Sequence, residues 1–260
     1  MINLTELLTA YPEPLRIHRA FILREYLQCK ILEILFEGPL ASKFCFLGDT
    51  CLRLVHGNPR FSEDLDFDNF ALPEDEFSRV SDLVKNGLEQ QGYQVEMKQV
   101  IRGAYHCHIR FPGILFEQGM SGYREEKIVI QLDTEPQNFD FEPNTFILNK
   151  FDVTTAIFVT PPELLLAQKF TALCERKRSK GRDFYDIIFL LSKSIKPNFG
   201  YLAARLDAPT PNALRHRVSE ILTRVRLDDM AADVRPFLFN PTDEKRVRLF
   251  EQILAQADLG

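Results

Sequence analysis

The segment DLDFD at residues 64–68 alternates three aspartates with two apolar residues. In an extended strand alternate side chains share a face, so Asp64, Asp66 and Asp68 point to one side. Neighbouring carboxylates repel each other unless a cation lies between them, and Mg²⁺ completes its octahedron with phosphate oxygens and water. The spacing therefore indicates metal-assisted phosphoryl or nucleotidyl transfer, although a bare D-x-D motif is more often a solvated acidic loop.

Two neighbouring features favour the chemical interpretation. The strand-like run Ile128–Leu132 alternates in the same way and ends at Asp133, which an adjacent strand would present to the same metal. Ahead of the acids, Gly48 allows a ligand to approach the backbone closely. A phosphate could then be held by the backbone amides that follow Gly48, by the Thr50 hydroxyl and by Arg53. Taken alone, a Gly-x-Thr turn is more often structural.

These acids need a folded core, which the 260 residues, 45% hydrophobic content and 22 Phe can supply in one large domain or two modest ones. The proline pair at 161–162 marks the best candidate boundary, between a mixed α/β N-terminal half and a helical C-terminal half. Apolar spacing predicts strands over residues 44–47, 65–67, 93–101, 105–111, 127–132 and 154–159, and helices over residues 15–36, 51–55, 73–91, 162–176, 183–193, 200–206, 211–224 and 242–255.

Several classes of protein and site are disfavoured by composition. The net charge of −5 argues against a protein that coats nucleic acid, although the basic run Lys169–Arg182 is suited to face phosphates. Five scattered cysteines indicate neither a disulfide framework nor a zinc knuckle, and most are expected to be buried hydrophobes. His106 and His108 share a strand face, but no third ligand lies within sequence reach. Without a signal peptide or a membrane span, we expect a cytoplasmic protein that does not contact the membrane.

Four separated motifs follow one another along the chain: GDT at 48–50 with LRL at 52–54 and RFSEDLDF at 60–67, then IQLDTEP at 130–136, PELLLAQKFTAL at 162–173 and RSKGRDFYDI at 178–187. In this order they resemble the AbiEii/AbiGii-type nucleotidyltransferases, the toxins of abortive-infection and toxin–antitoxin systems. That family belongs to the DNA polymerase β-like nucleotidyltransferase superfamily. The family usually has two glycines in its first turn, whereas this chain has Asp49 in the second place.

The resemblance implies an α+β fold, in which a polymerase β-like mixed sheet with flanking helices is followed by a helical C-terminal half. Residues 1–160 would form the nucleotidyltransferase domain, including an N-terminal helix, and residues 161–260 a helical domain that completes the active site. The implied catalytic residues are Asp64, Asp66, Lys169 and Asp183; the implied metal ligands are Asp64, Asp66 and Asp133; and the expected nucleotide-binding residues are Gly48, Thr50, Arg53, Lys169 and Arg182.

The expected reaction is metal-dependent transfer of a nucleoside monophosphate from an NTP substrate to an acceptor, with Mg²⁺ or Mn²⁺ as cofactor. The resemblance implies a toxin that acts on RNA, such as the 3′ end of tRNA, or on a protein, with a cognate antitoxin encoded nearby. Two of these residues have alternative, purely structural explanations. Lys169 could snorkel from an amphipathic helix, and Asp183 could cap a helix N-terminus, where its negative charge interacts favourably with the helix dipole. A non-catalytic nucleotide- or RNA-binding module and a metal-dependent nuclease are the alternative functions.

Overall fold

The computed structural model describes residues 3–102, 104–136 and 138–260. It divides into two compact units, Met1–His56 with Phe61–Val159, and Gly57–Arg60 with Thr160–Gly260. No helix among these described residues is long and apolar enough to cross a membrane.

The first unit is built on a mixed sheet, which in the described residues has seven strands in the order β3-β4-β5-β2-β1-β7-β6. Strand β2 runs parallel to β5, and β1 runs parallel to β7, while the remaining neighbours are antiparallel. The strands are β1 Phe44–Leu47, β2 Leu65–Asn69, β3 Glu96–Arg102, β4 Ala104–Pro112, β5 Lys127–Thr134, β6 Asn144–Lys150 and β7 Val153–Val159.

Helices pack on this sheet through apolar faces. Helix α4 buries residues at helical spacing, from Phe77 to Leu88, and α2 buries most of its length. The ring of Phe67 on β2 lies among three other aromatic rings of the unit, at centroid distances of 5.4 to 6.2 Å. The helices of this unit are α1 Leu4–Thr9, α2 Arg19–Phe36, α3 Gly48–Leu54, α4 Glu74–Gln90 and α5 Ile114–Glu117.

The second unit is helical. Its core includes an edge-to-face contact between Phe184 and Phe250, with ring centroids 4.9 Å apart. The short segment Gly57–Arg60 belongs to this unit, because Arg60 bridges to Leu238 and the Phe239 amide donates to the Pro59 carbonyl at 3.1 Å. The helices are α6 Pro162–Glu175, α7 Gly181–Ser192, α8 Phe199–Leu206, α9 Pro211–Leu222, α10 Leu227–Val234, α11 Lys245–Arg248 and α12 Phe250–Gln256.

The structure confirms the α+β class and the mixed sheet with flanking helices that the sequence predicts. Strand β6 and helices α1, α5 and α10 were not predicted. The apolar residues of β6, Phe146, Ile147 and Leu148, are consecutive, so its sequence lacks the apolar–polar alternation that marks a half-buried strand, although Ile147 is exposed and Leu148 is buried. The helix predicted over residues 242–255 is wrong as a single element, since Leu249 leaves helical geometry between α11 and α12.

Candidate active site

Strand β2 brings the predicted acids of the sheet unit together. Asp66 lies opposite Leu47 on β1 and opposite Asp133 on β5, so the two aspartates are register partners on neighbouring strands. Strands so paired lie about 4.8 Å apart. Asp64, just before β2, accepts a hydrogen bond at its Oδ1 from the Gln131 amide at 3.2 Å. The three carboxylates that the sequence predicts as metal ligands are therefore held by the same pair of strands.

Gly48 lies directly against the Asp66 carboxylate. Its φ is +78°, a conformation that only glycine adopts without strain, and a Cβ atom there would lie 2.3 Å from Asp66 Oδ2. The close backbone approach expected at Gly48 is thus present, and it is made towards Asp66. Binding of a triphosphate by this turn stays a prediction.

Thr50 holds the segment that leads into the acids. Its side chain is buried, and Oγ1 lies 2.8 Å from Ser62 Oγ and within hydrogen-bond distance of the Asp64 carbonyl oxygen. Because a carbonyl only accepts, the Thr50 hydroxyl donates to Asp64 and accepts from Ser62. The hydroxyl is therefore engaged within the protein, and its predicted contact with phosphate is not tested.

Arg53 extends from α3 to a buried carboxylate on α2. Its Nε lies 2.8 Å from Glu25 Oε2 and its Nη2 lies 3.2 Å from Oε1, while Lys150 and the Tyr11 hydroxyl also contact Glu25. Burial alone would raise the pKa of Glu25, but Arg53 and Lys150 outweigh it and hold that pKa below its usual value. Arg53 thus fastens α3 to α2, and its predicted role in nucleotide binding is left open.

Asp133 is surrounded by donors that sequence reasoning did not assign to the site. His106 Nδ1 lies 2.7 Å from Asp133 Oδ1, and Gln131 Nε2 lies 2.8 Å from both carboxylate oxygens. The contact with His106 follows from the antiparallel register of β4 and β5, in which these residues are directly opposite. The sequence carries no local signal for that register.

The donor set of this site fits Mg²⁺. Within the described part of the chain, no group of three or more His, Cys, Asp or Glu side chains is arranged to hold a metal by itself. Mg²⁺ usually binds through one or two carboxylates and takes its other ligands from water and substrate phosphates. Asp64 and Asp66 would supply those carboxylates, with Asp133 beside them.

Lys169 and Asp183 lie together in the helical unit. Lys169 Nζ is 2.8 Å from Asp186 Oδ2 and 3.6 Å from Asp183 Oδ1, and Arg176 Nη1 is 3.2 Å from Asp183 Oδ2. The side chains of Lys169 and Asp183 are only 7% and 2% exposed. The lysine that the sequence predicts as a phosphate ligand is thus part of a buried ion-pair cluster.

Asp186 is the centre of this cluster and was not among the predicted site residues. It accepts two hydrogen bonds from Arg60, at 2.7 and 2.6 Å, and one from Asn58 at 2.8 Å. Both Arg60 and Asp186 are fully buried. A signal was present, because Arg60 begins one of the resembling motifs and Asp186 is the last acidic residue of another.

Arg182, the remaining predicted residue, packs on an aromatic ring. Its guanidinium carbon lies 4.8 Å from the ring centroid of Phe237, within the range of a cation–π contact. The expected role of Arg182 in nucleotide binding stays a prediction.

Three solved structures have similar folds, and two of them are described as nucleotidyltransferases. JHP933 from Helicobacter pylori has 20% sequence identity and a TM-score of 0.55, covering 91% of this chain and 90% of that chain. A putative nucleotidyltransferase from H. pylori has 22% identity and a TM-score of 0.53, covering 91% and 93%. MenT4, a nucleotidyltransferase toxin from Mycobacterium tuberculosis H37Rv, has 17% identity and a TM-score of 0.55, covering 92% and 85%.

The family match covers most of the sequence. The family described as "Nucleotidyl transferase AbiEii toxin, Type IV TA system" matches residues 30–256, whereas a search of curated proteins found no match. Membership implies an NTP substrate and a partner antitoxin. The chain therefore belongs to the AbiEii toxin family and is a nucleotidyltransferase.

Proposed function

We propose that this protein transfers a nucleoside monophosphate from an NTP to an RNA hydroxyl in a Mg²⁺-dependent reaction that releases pyrophosphate. The 3′ end of tRNA is the acceptor we expect. The observation that carries the proposal is the register pairing of Asp66 with Asp133, beside Asp64 and against the Gly48 turn. Such clustered carboxylates are suited to a metal that carries phosphates.

The reaction requires the protein to position the reactants rather than to form a covalent bond with them. The acceptor hydroxyl releases its proton to water as its oxygen forms a bond to the α-phosphorus, and the bond from that phosphorus to the pyrophosphate oxygen breaks. A bound Mg²⁺ would neutralise charge on the phosphates. We propose Asp64, Asp66 and Asp133 as the residues that hold it.

The loop between α6 and α7 supports RNA as the acceptor. Four basic residues on it are exposed, and the loop includes no acidic residue. Exposed basic side chains bind nucleic-acid backbones and release counterions, and of these four residues Arg176 also pairs with Asp183 at 3.2 Å. The exposed residues are Arg176, Lys177, Arg178 and Lys180.

Labelling of RNA tests the proposed reaction. The protein is incubated with each labelled NTP, Mg²⁺ and total RNA, and we expect RNA to be labelled. Asp64→Ala should lower the rate by ~10³-fold, since metal-assisted charge stabilisation contributes several kcal/mol. The matched control is Asp82→Asn, which removes an exposed carboxylate on α4 and should transfer normally.

Other products would point to other functions. Shortened RNA would indicate a nuclease, labelled protein would indicate a protein acceptor, and absence of transfer to every acceptor would indicate a binding module. Induced expression should slow bacterial growth, and Asp66→Asn should relieve the toxicity. An Asp66→Asn variant as toxic as the wild type would contradict a catalytic basis for toxicity.

Neutralising the basic loop should weaken RNA binding without affecting NTP binding. For Lys177→Gln/Arg178→Gln we expect roughly tenfold weaker RNA binding at about 0.1 M salt and a shallower dependence of affinity on salt, because two phosphate contacts are lost. The KM for NTP should not change. Filter binding across salt concentrations measures the effect.

The control for this experiment is Arg224→Gln/Lys245→Gln, which removes two exposed basic residues elsewhere in the helical unit. Equal losses of RNA affinity in the two double variants would show a general charge effect and contradict a binding role for the loop.

A further inference from the structure

The strand pair β4 and β5 surrounds Asp133 with hydrogen-bond donors. His106 Nδ1 is 2.7 Å from Asp133 Oδ1, and Gln131 Nε2 is 2.8 Å from each carboxylate oxygen. A carboxylate only accepts, so the proton between His106 and Asp133 belongs to Nδ1 of the imidazole. Three donor contacts therefore restrict rotation of the Asp133 carboxylate.

Gln131 also reaches a second acid. Its backbone amide donates to Asp64 Oδ1 at 3.2 Å, while its side-chain amide binds Asp133. One residue of β5 thus fixes two of the three carboxylates of the site. Its register partner on β4 is His108, two residues from His106.

These donors also offset the repulsion within the site. Asp66 and Asp133 are opposite each other on β2 and β5, where two negative charges destabilise the folded protein. An N–H group directed at a carboxylate stabilises its charged form. His106 and Gln131 direct such groups at Asp133.

If His106 and Asp133 had only a structural role, a weaker contact between them would be expected. Polar side chains on an open sheet face usually contact water, but here His106 and Asp133 are 33% and 28% exposed and their contact is short. Ligating carboxylates are characteristically hydrogen-bonded by such outer partners, whose loss typically costs about 10- to 100-fold in metal affinity or activity.

We infer that His106 and Gln131 are positioning residues that fix the orientation of Asp133, and that Gln131 additionally fixes Asp64, for binding of a divalent cation. The inference rests on the proposed function of these acids in nucleotidyl transfer. Neither residue touches the reacting atoms in this role. Each acts through the carboxylate it binds.

Four variants test the inference. His106→Ala removes the donor, His106→Asn retains a donor near the position of Nδ1, and Gln131→Met removes the side-chain amide but keeps the backbone amide. His108→Ala, on the same strand face, is the matched control. Two quantities are measured on the full chain: Mn²⁺ affinity by electron paramagnetic resonance without NTP, and kcat and KM for transfer.

We expect His106→Ala and Gln131→Met to weaken Mn²⁺ binding and to lower kcat, each by about tenfold or more, with little change in KM for NTP. His106→Asn should recover most of both quantities, and His108→Ala should match the wild type. If His106→Ala is poorly folded, His106→Asn and Gln131→Met still decide the outcome.

The outcomes separate this inference from the proposed function. Wild-type transfer with unchanged Mn²⁺ affinity and kcat in His106→Ala and Gln131→Met would overturn the inference and leave the function standing. Absence of transfer would overturn the function, while the Mn²⁺ measurements would still test the positioning. Equal impairment of His106→Asn and His106→Ala would show that His106 does not act through its hydrogen bond to Asp133.

Discussion

Gly48→Ala should reduce nucleotidyl transfer by at least about 10²-fold, the largest effect expected from a single methyl group in this protein. An added Cβ would lie 2.3 Å from Asp66 Oδ2 and 2.9 Å from Asp66 Cβ, closer than real Cβ contacts. Either the turn or the carboxylate must move. A displacement of about 1 Å at a reacting centre lowers the reaction rate by about 10²-fold. The loss of transfer activity should therefore be larger than the loss of folding stability alone would cause.

The stability cost of Gly48→Ala has two parts. A φ of +78° costs an alanine about 1–2 kcal/mol, and relieving the overlap with Asp66 costs about 1–3 kcal/mol more. The matched control is Gly92→Ala, because Gly92 has a φ of +87° but nothing lies within 4 Å of the added Cβ. Urea unfolding and the labelled-NTP assay measure both variants. Normal activity in Gly48→Ala would contradict the assignment of this turn to the site.

Asp186→Asn should destabilise the helical unit by about 3–5 kcal/mol, the largest stability effect we expect. The substitution keeps the size of the side chain but removes the charge that the fully buried Arg60 guanidinium contacts at 2.6 and 2.7 Å. Lys169 would lose its nearest carboxylate as well. Two buried cations would then lack their main counter-charge, and a buried charge without a partner is strongly unfavourable.

Thermal and urea unfolding measure this effect, with an expected fall in Tm of roughly 10 °C. The control is Asp228→Asn, which removes an ion pair to Arg248 whose side chains are 71% and 47% exposed. Exposed pairs contribute about 0–1 kcal/mol, so this variant should unfold almost like the wild type. Similar losses in the two variants would show that the Asp186 cluster does not stabilise the unit.

Much of the fold can be predicted from local sequence. Strand β1 begins and ends where its apolar run does, and the alternation in β5 correctly places Ile128, Ile130 and Leu132 in the core. Four of the five cysteines are buried, as expected for small apolar side chains. These features depend on propensity and periodicity within a few residues, which a sequence displays directly.

The functional family could also be recognised from sequence, because its motifs combine residue types with fixed spacing. Acids at D-x-D spacing, a glycine before them and a later lysine on a helix are each local patterns. Their order along the chain indicates a nucleotidyltransferase, and the family match confirms it.

The sequence by itself thus determined the class of fold, the family and the strand that carries the acids. Only the tertiary structure decided the partners: Asp133 opposite Asp66, His106 on Asp133, Glu25 on Arg53 and Asp186 on Arg60. Arg60 and Asp186 are 126 residues apart in the chain. Contacts of this kind follow from strand register and helix packing, which depend on the whole core at once and leave no pattern within a short stretch of residues.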